Sequence, residues 1–205
     1  IMPELPEVET IKNYLHKNCL NLKVLKVSKF RENLRWAMPD VSSLISGQKI
    51  QDITRRAKYL ILKFDTGNLI MHFGMSGFLT IINEPYDTWL KSKKKHDHFA
   101  IAFENKVLVL NDARRFGAVL WHDAHNINNH ELLKHLGPEP LSESFSPEYL
   151  HEILKGRKTP IKLAIMNSKL VVGVGNIYAN ESLFLSKINP NKLACDVSFE
   201  HLSLL

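Results

Sequence analysis

The sequence predicts an α+β protein in which an N-terminal helix and an antiparallel β-sandwich precede an all-α domain. Between residues 24 and 121, short segments rich in β-branched and aromatic residues alternate with turn signals, a pattern typical of strands. After the segment 136–140, apolar residues recur at helical spacing. We therefore expect two domains, residues 1–135 and residues 136–205.

The first predicted element is an amphipathic helix that begins near Pro6. Val8, Ile11, Tyr14 and Leu15 recur at helical spacing, and proline is well tolerated in a first helical turn. Pro3 and Glu4 immediately precede this helix, so they should project from the start of a packed, rigid element.

Eight strands are predicted to follow the helix. Turn signals at 65–68 and 104–105 separate several of them, and little helix is expected between them, which favours an antiparallel sandwich. The predicted strands cover residues 24–30, 49–54, 59–64, 69–73, 77–82, 99–103, 107–110 and 118–121.

The C-terminal part is predicted to be helical. Ser146 and Pro147 form a cap and first position for a helix that Gly156 ends. Two further helices are expected over 161–170 and from 177 to about 187, joined by the glycine turn 171–176. A last helix entered at Ser198 is still running when the sequence ends, as expected of a truncated domain.

The composition of the 205 residues is that of a globular protein, with 44% apolar and 23% charged residues. No apolar run approaches the length of a membrane span, so we expect a cytoplasmic protein without membrane contact. We also expect it to be a monomer. The net charge is +6, and basic residues cluster at 91–95 and 155–162. Such clusters are often solvated faces, but two of them favour nucleic acid as the partner.

The Pro3-Glu4 pair offers the most distinctive chemistry of the sequence. If the preceding residues are removed, Pro3 becomes a terminal secondary amine that can form an iminium with a sugar aldehyde carbon. Glu4 would then be placed to act as a general acid or base. With Ile1 and Met2 retained, Pro3 is an ordinary tertiary amide, and the pair has no catalytic meaning.

Two other stretches suit DNA. The turn 171–176 precedes a helix N-terminus, which suits phosphate, although glycine also joins many helix pairs without any ligand. Arg114 and Phe116 share one turn, where a ring could stack on bases while a guanidinium replaces lost base pairing. Met75 lies in a second candidate loop. The alternative is that these apolar side chains belong to the core.

Seven segments of the sequence together resemble the bacterial formamidopyrimidine-DNA glycosylases. The resemblance covers nearly the whole chain and implies a base-excision repair enzyme that removes 8-oxoguanine and ring-opened purines and also cleaves the strand as an AP lyase. The segments are PELPEVET at 3–10, RRAKY at 55–59, HFGMSG at 72–77, KHDH at 95–98, DARRFGA at 112–118, LGPEPLS at 136–142 and KLVVGVGNIYANESLF at 169–184.

The resemblance also implies roles for individual residues. Pro3 corresponds to the nucleophile that attacks C1′, Glu4 to the acid that opens the deoxyribose ring, and Lys58 to a lysine that assists at the lesion. Glu7 is expected to hold the geometry of this site. Met75, Arg114 and Phe116 are expected to fill the gap that the flipped base leaves. Further contacts to the backbone of lesion-containing duplex DNA are implied for His96, Arg114, Arg157, Lys162, Asn176 and Tyr178.

The family also implies one structural zinc in a C-terminal finger with four cysteines, and here the sequence departs from the pattern. Its two cysteines, Cys19 and Cys195, form no CxxC motif, so we expect neither a zinc finger nor any other metal or cofactor in this chain. The main alternative is a non-catalytic DNA-binding module derived from the same fold. A third hypothesis is that the chain is an RNA-binding or ribosome-associated protein.

Overall fold

The computed structural model describes residues 3–123 and 126–205, which form two compact units, Ile1–His130 and Glu131–Leu205. Each unit has its own hydrophobic core. Ile1 and Met2, whose removal the Pro3 chemistry requires, lie outside the described residues. No helix in the described part of the chain is long and apolar enough to cross a membrane.

Unit 1 begins with the predicted helix, α1, which spans Leu5–Cys19. Its inward face buries Val8 and Leu15 in the core, as the helical spacing predicts, whereas Tyr14 of the same predicted face is 50% exposed. A capping box between Glu4 and Glu7 satisfies backbone N–H groups that the first turn would otherwise leave without partners. These hydrogen bonds therefore hold the first turn of α1 in one conformation.

The strands form two four-stranded antiparallel sheets, which confirms the predicted sandwich, although most ends differ by one to three residues from the predicted ones. One sheet has the order β1-β6-β7-β5 and the other the order β2-β3-β4-β8. In chain order the strands are β1 Lys26–Lys29, β2 Asp52–Arg56, β3 Tyr59–Phe64, β4 Gly67–His72, β5 Phe78–Ile82, β6 Asp97–Ala102, β7 Val107–Asn111 and β8 Ala118–His122.

The core of unit 1 is built from inward-facing side chains of both sheets and α1. Leu60 and Leu62 on β3 alternate with residues of the other face, and Leu69, Met71 and Phe99 join them in one buried cluster. Two short helices that the sequence analysis missed, α2 over Ser42–Ile45 and α3 over Tyr86–Lys91, cover parts of this sandwich.

Unit 2 consists of four helices, α4 over Pro147–Leu154, α5 over Ile161–Ile165, α6 over Asn176–Leu185 and α7 over Phe199–Leu204. The predicted caps are present: Ser146 Oγ accepts the Tyr149 N–H at 3.1 Å, and Ser198 caps α7. The core of this unit gathers apolar residues of all four helices, namely Leu150, Leu154, Ile161, Ala164, Ala179, Leu183 and Leu202.

The prediction of a helix over 161–170 is wrong in its end, because α5 stops at Ile165. Asn167 explains the difference: its side-chain Oδ1 accepts the Lys169 N–H at 3.0 Å, and its carbonyl accepts the Leu170 N–H at 2.8 Å. These local bonds form a turn that replaces the helical ladder, a competition typical of asparagine.

Candidate active site and DNA-contacting surface

Glu4 is a buried carboxylate at the start of α1, next to the half-buried Pro3. Its side chain is only 2% exposed, and its backbone N–H donates to Glu7 Oε2 at 2.9 Å. A buried acidic group held in one position suits proton transfer to a neighbouring substrate atom. Pro3 and Glu4 thus occupy the rigid position that the sequence predicts for them.

Lys58 lies in a two-residue turn between β2 and β3. Arg56 and Tyr59 form the last pair of these strands, which leaves Ala57 and Lys58 as the turn. Burial lowers the pKa of Lys58, and the charges of Glu4 and Glu7 offset part of that effect. The structure therefore places Lys58 close enough to Glu4 and Glu7, at the start of α1, to feel both charges.

Arg55 joins this turn to α1. Its Nε donates to Glu9 Oε2 at 2.7 Å, and its Nη1 donates to the Ala57 carbonyl at 2.8 Å. Although burial opposes ionisation of Glu9, Lys12 and Arg55 lower its pKa overall. Ala57 has a φ of 54°, a left-handed conformation that costs an alanine free energy and is retained only where the surroundings enforce it.

His72, at the end of β4, is held neutral beside Lys58. Its ring centroid lies 4.9 Å from that of Tyr59, and its Nδ1 accepts the Gly74 N–H at 3.1 Å. Burial, followed by the charges of Lys58 and Arg35, lowers the pKa of His72 to about 4. Because Nδ1 is an acceptor, the neutral ring carries its proton on Nε2, where it can donate a hydrogen bond.

Two loops that carry exposed apolar side chains are tied together by one buried carboxylate. Asp112 is fully buried; its Oδ1 accepts from Ser76 Oγ at 2.6 Å and its Oδ2 accepts the Gly117 N–H at 2.8 Å. The Arg114 N–H in turn donates to Ser76 Oγ at 3.0 Å. We call loops 73–77 and 112–117 together the wedge.

The two loops of the wedge approach each other closely enough to require glycine. A Cβ at Gly74, whose φ is +56°, would lie 2.3 Å from the Phe116 carbonyl carbon. Met75 and Phe116 are 41% and 45% exposed at the surface, and the Arg114 guanidinium lies 4.9 Å from the Phe116 ring centre. These side chains are therefore outside the core, in contrast to the alternative considered from the sequence.

A cavity of about 690 Å³ opens beside the wedge, wholly within unit 1. The described residues that line it include three arginines and no carboxylate, a balance that favours an anionic ligand. The lining residues are Leu34, Arg35, His72, Gly74, Met75, Arg114, Arg115 and Phe116.

His96 adjoins the wedge through the backbone. Its carbonyl accepts the Asp112 N–H at 3.0 Å, and its ring packs edge-on against His98, with centroids 6.1 Å apart. No group of three or more His, Cys, Asp or Glu residues in the described chain could hold a metal ion. Cys19 is buried in unit 1 and Cys195 is exposed in unit 2, so these thiols do not fit a four-cysteine zinc site.

The remaining predicted DNA contacts lie in unit 2. Asn176 is the first residue of α6, and both it and Tyr178 are exposed at the positive end of that helix. Arg157 lies in the connection between α4 and α5, and Lys162 is the second residue of α5. Arg157 Nε also donates to the Ile153 carbonyl at 2.7 Å, so this side chain helps to end α4.

Sequence reasoning assigned no role to three residues that the structure places in these sites. Arg55 and His72 lie within the recognised motifs, but their partners depend on strand pairing and on the packing of α1. Asp112 begins its motif, and a lone acidic residue between apolar strands followed by a turn is the signal that could have identified it. Burial of such a group requires several hydrogen bonds.

The wedge is exposed and cationic, and unit 1 also holds a buried carboxylate and a partly desolvated lysine. This combination suits an enzyme that distorts duplex DNA. The fold is that of the helix-two-turn-helix DNA glycosylases. Residues 2–119 match the formamidopyrimidine-DNA glycosylase N-terminal domain, and residues 136–205 match the H2TH domain of the same enzymes. The chain belongs to the formamidopyrimidine-DNA glycosylase family.

Individual relatives agree with this assignment. The chain is 45% identical to the formamidopyrimidine-DNA glycosylase of Shewanella woodyi and 44% identical to that of Escherichia coli O6:H1, in each case over 205 residues. Those alignments cover the whole of this chain and 73% and 74% of the relatives, respectively.

Solved structures agree as well. The Lactococcus lactis enzyme bound non-covalently to DNA with an AP site matches with a TM-score of 0.88 at 32% identity, covering 98% of this chain and 76% of that one. MutM in complex with DNA containing carbocyclic 8-oxo-G matches with a TM-score of 0.86 at 32% identity and the same coverage. The predicted α+β fold and the predicted DNA-repair glycosylase with AP lyase activity are confirmed, and a non-catalytic module is not favoured.

Proposed function

We propose that Pro3, freed as a terminal amine, is the nucleophile of this glycosylase and that Glu4 is its acid. The observation that carries this proposal is the burial of the Glu4 carboxylate next to Pro3 at the fixed start of α1. A nucleophile and a proton donor held on one rigid element need little reorganisation during the reaction.

The bond changes follow from the chemistry of a secondary amine. The Pro3 nitrogen lone pair forms a bond to C1′ while the C1′–base bond breaks, and the base leaves with the proton that the newly alkylated nitrogen gives up. Glu4 protonates the ring oxygen as the sugar opens, which produces an iminium ion. The iminium acidifies the C2′ proton, so loss of that proton expels the 3′ phosphate, and a second elimination expels the 5′ phosphate.

Lys58 and Glu7 support this chemistry in the proposal. Lys58 places a cation close to Glu4 and Glu7, and its lowered pKa makes proton exchange with substrate easier than for an exposed lysine. Glu7 engages the Glu4 backbone N–H and thereby fixes the position of the acid.

The wedge and the helical unit are proposed to bind the substrate duplex. Met75, Arg114 and Phe116 replace an extruded base, with oxidised or ring-opened purines as the lesions. The proposed backbone contacts are His96, Arg157, Lys162, Asn176 and Tyr178, which offer donors to phosphate. As an enzyme acting on bacterial DNA, the protein is proposed to work in the cytoplasm.

Borohydride trapping on an 8-oxoguanine duplex tests the assignment of the nucleophile. We expect a covalent adduct that peptide mapping places on Pro3, and an intact mass showing that Ile1 and Met2 are absent from the reactive protein. A matched preparation in which Met2 is retained should bind the duplex but not be trapped. Trapping by the blocked preparation, or an adduct on a lysine, would contradict the proposal.

A further inference from the structure

A tryptophan with no role in the proposed chemistry is exposed on unit 1. Trp36 is 39% exposed, and the guanidinium carbon of Arg35 lies 4.7 Å from its ring centre. Stacking of this kind holds an arginine in one orientation and leaves its in-plane N–H donors directed outward. A large exposed ring next to an oriented cation is a common feature of binding surfaces.

The loop that carries this pair is well ordered by its own contacts. The Leu34 N–H donates to the Trp36 carbonyl at 3.0 Å, and the Met38 N–H donates to the Glu32 carbonyl at 2.8 Å. Leu34 and Met38 are buried and anchor the loop on the core. Arg35 and Trp36 are therefore presented from a fixed tip.

The same tip is attached to the wedge. The Arg35 N–H donates to the Gly117 carbonyl at 3.0 Å, directly behind Phe116. Leu34 and Arg35 also line the cavity that Met75 and Phe116 border. The pair thus belongs to the surface that the wedge defines.

The charge of this surface indicates its ligand. Arg35 lines the cavity together with Arg114 and Arg115, and no described lining residue carries a carboxylate. The charge of Arg35 also contributes to the low pKa of His72, which lines the same cavity. A cavity with three guanidiniums beside a base-stacking ring suits the phosphates of a nucleic-acid backbone.

We propose that Arg35 and Trp36 form an additional DNA contact, in which Arg35 binds a backbone phosphate next to the wedge and Trp36 holds the guanidinium in place. This inference rests on the proposed function of the wedge. It adds a contact that fixes the duplex where the wedge inserts, and it carries no base specificity of its own.

The salt dependence of DNA binding tests the role of Arg35. Because each neutralised phosphate contributes about 0.9 to the slope of log K against log salt, Arg35→Ala should lower that slope by about 0.9. Lys63→Ala is the matched control, since Lys63 is exposed on β3 at the end opposite Tyr59 and should leave the slope unchanged. Arg35→Lys should retain the slope because it retains the charge.

Tryptophan fluorescence supplies a second measurement on the same duplex. Trp89 is buried and Trp121 is half-buried, so acrylamide should quench mainly Trp36, the most exposed of the three tryptophans, and DNA should protect that signal. Trp36→Phe should remove the protected component. Equal slopes for Arg35→Ala and Lys63→Ala, with no protection of Trp36, would overturn this inference alone. Absence of binding by the unaltered protein would instead overturn the proposed function.

Discussion

At the scale of the single residue, His72 shows how the fold selects a protonation state. Its Nδ1 accepts the Gly74 N–H, and this bond is lost if Nδ1 is protonated. The nearby charges of Lys58 and Arg35 oppose a second positive charge, and burial opposes it further. The imidazole is therefore a neutral donor at the pH of the cell.

This state predicts a pH dependence of stability. The pKa of His72 is about 4 in the folded protein and near 6.5 in the unfolded chain. Between these values the unfolded chain binds more protons, so the free energy of unfolding should fall as the pH falls from 6.5 to 4, by about 3 kcal/mol in total. Urea unfolding at several pH values measures this loss.

His72→Asn is the comparison for that measurement, because asparagine retains an acceptor but does not titrate. The variant should lose less stability between pH 6.5 and 4 than the unaltered protein loses. If both lose the same amount, the shift comes from other groups, and our account of His72 is wrong.

Individual residues also show how much of the candidate site could be predicted from the sequence. Pro3, Glu4 and Lys58 could be proposed because their motifs carry recognisable chemistry. His72 could not be placed, since its environment depends on the pairing of Tyr59 with His72 between β3 and β4. Arg35 was missed for the same reason, because it lies far in sequence from Gly117.

At the scale of elements, the wedge behaves as one body formed from two loops. Asp112 accepts hydrogen bonds from both loops, and Gly74 permits their close approach. Buried hydrogen bonds to a carboxylate are among the stronger ones in proteins. Met75 and Phe116 should therefore move together when the duplex binds.

Ser76→Ala tests this coupling. It removes the hydroxyl that links Asp112 to the Arg114 N–H, so we expect affinity for an AP-site duplex to fall about tenfold, a cost of about 1.4 kcal/mol. The fluorescence change of 2-aminopurine opposite the AP site should fall with it. Ser92→Ala, which removes one hydrogen bond to Trp89 outside the wedge, is the control and should change neither.

The elements themselves were largely predictable. Strands that combine β-branched runs with turn signals were all located, and the caps at Ser146 and Ser198 marked true helix starts. The end of α5 was not predicted correctly, because a local turn at Asn167 ends the helix although the apolar spacing continues. Helix α3 was missed because its six residues are too few to show a period.

At the scale of the whole molecule, the protein carries a net charge of +6, and each unit has a hydrophobic core of its own. DNA contacts are proposed in both units. Coulombic attraction to the duplex accounts for most non-specific affinity, and salt weakens it. Sequence alone could indicate this partner from its basic clusters. It could not show which basic side chains are already engaged within the protein.

Arg157 and Lys162 provide the corresponding prediction. Lys162→Ala should lower the slope of log K against log salt by about 0.9, as expected of one phosphate contact. Arg157→Ala should lower the slope equally and also destabilise unit 2, because its Nε bond to the Ile153 carbonyl is lost. Lys187→Ala, at the far end of α6 from Asn176, should leave the slope unchanged. An unchanged slope for Arg157→Ala would assign that residue to helix capping alone.

The left-handed Ala57 has a consequence for how this protein can change during evolution. Glycine at position 57 would relieve a backbone cost of about 1 kcal/mol, so drift toward a more stable protein favours that replacement. The same replacement would make the turn that carries Lys58 more flexible, because glycine can adopt more backbone conformations than alanine. Selection for thermal tolerance and selection for turnover therefore act in opposite directions on the methyl group of Ala57. We expect Ala57→Gly to have a higher melting temperature and a lower turnover number than the parent protein.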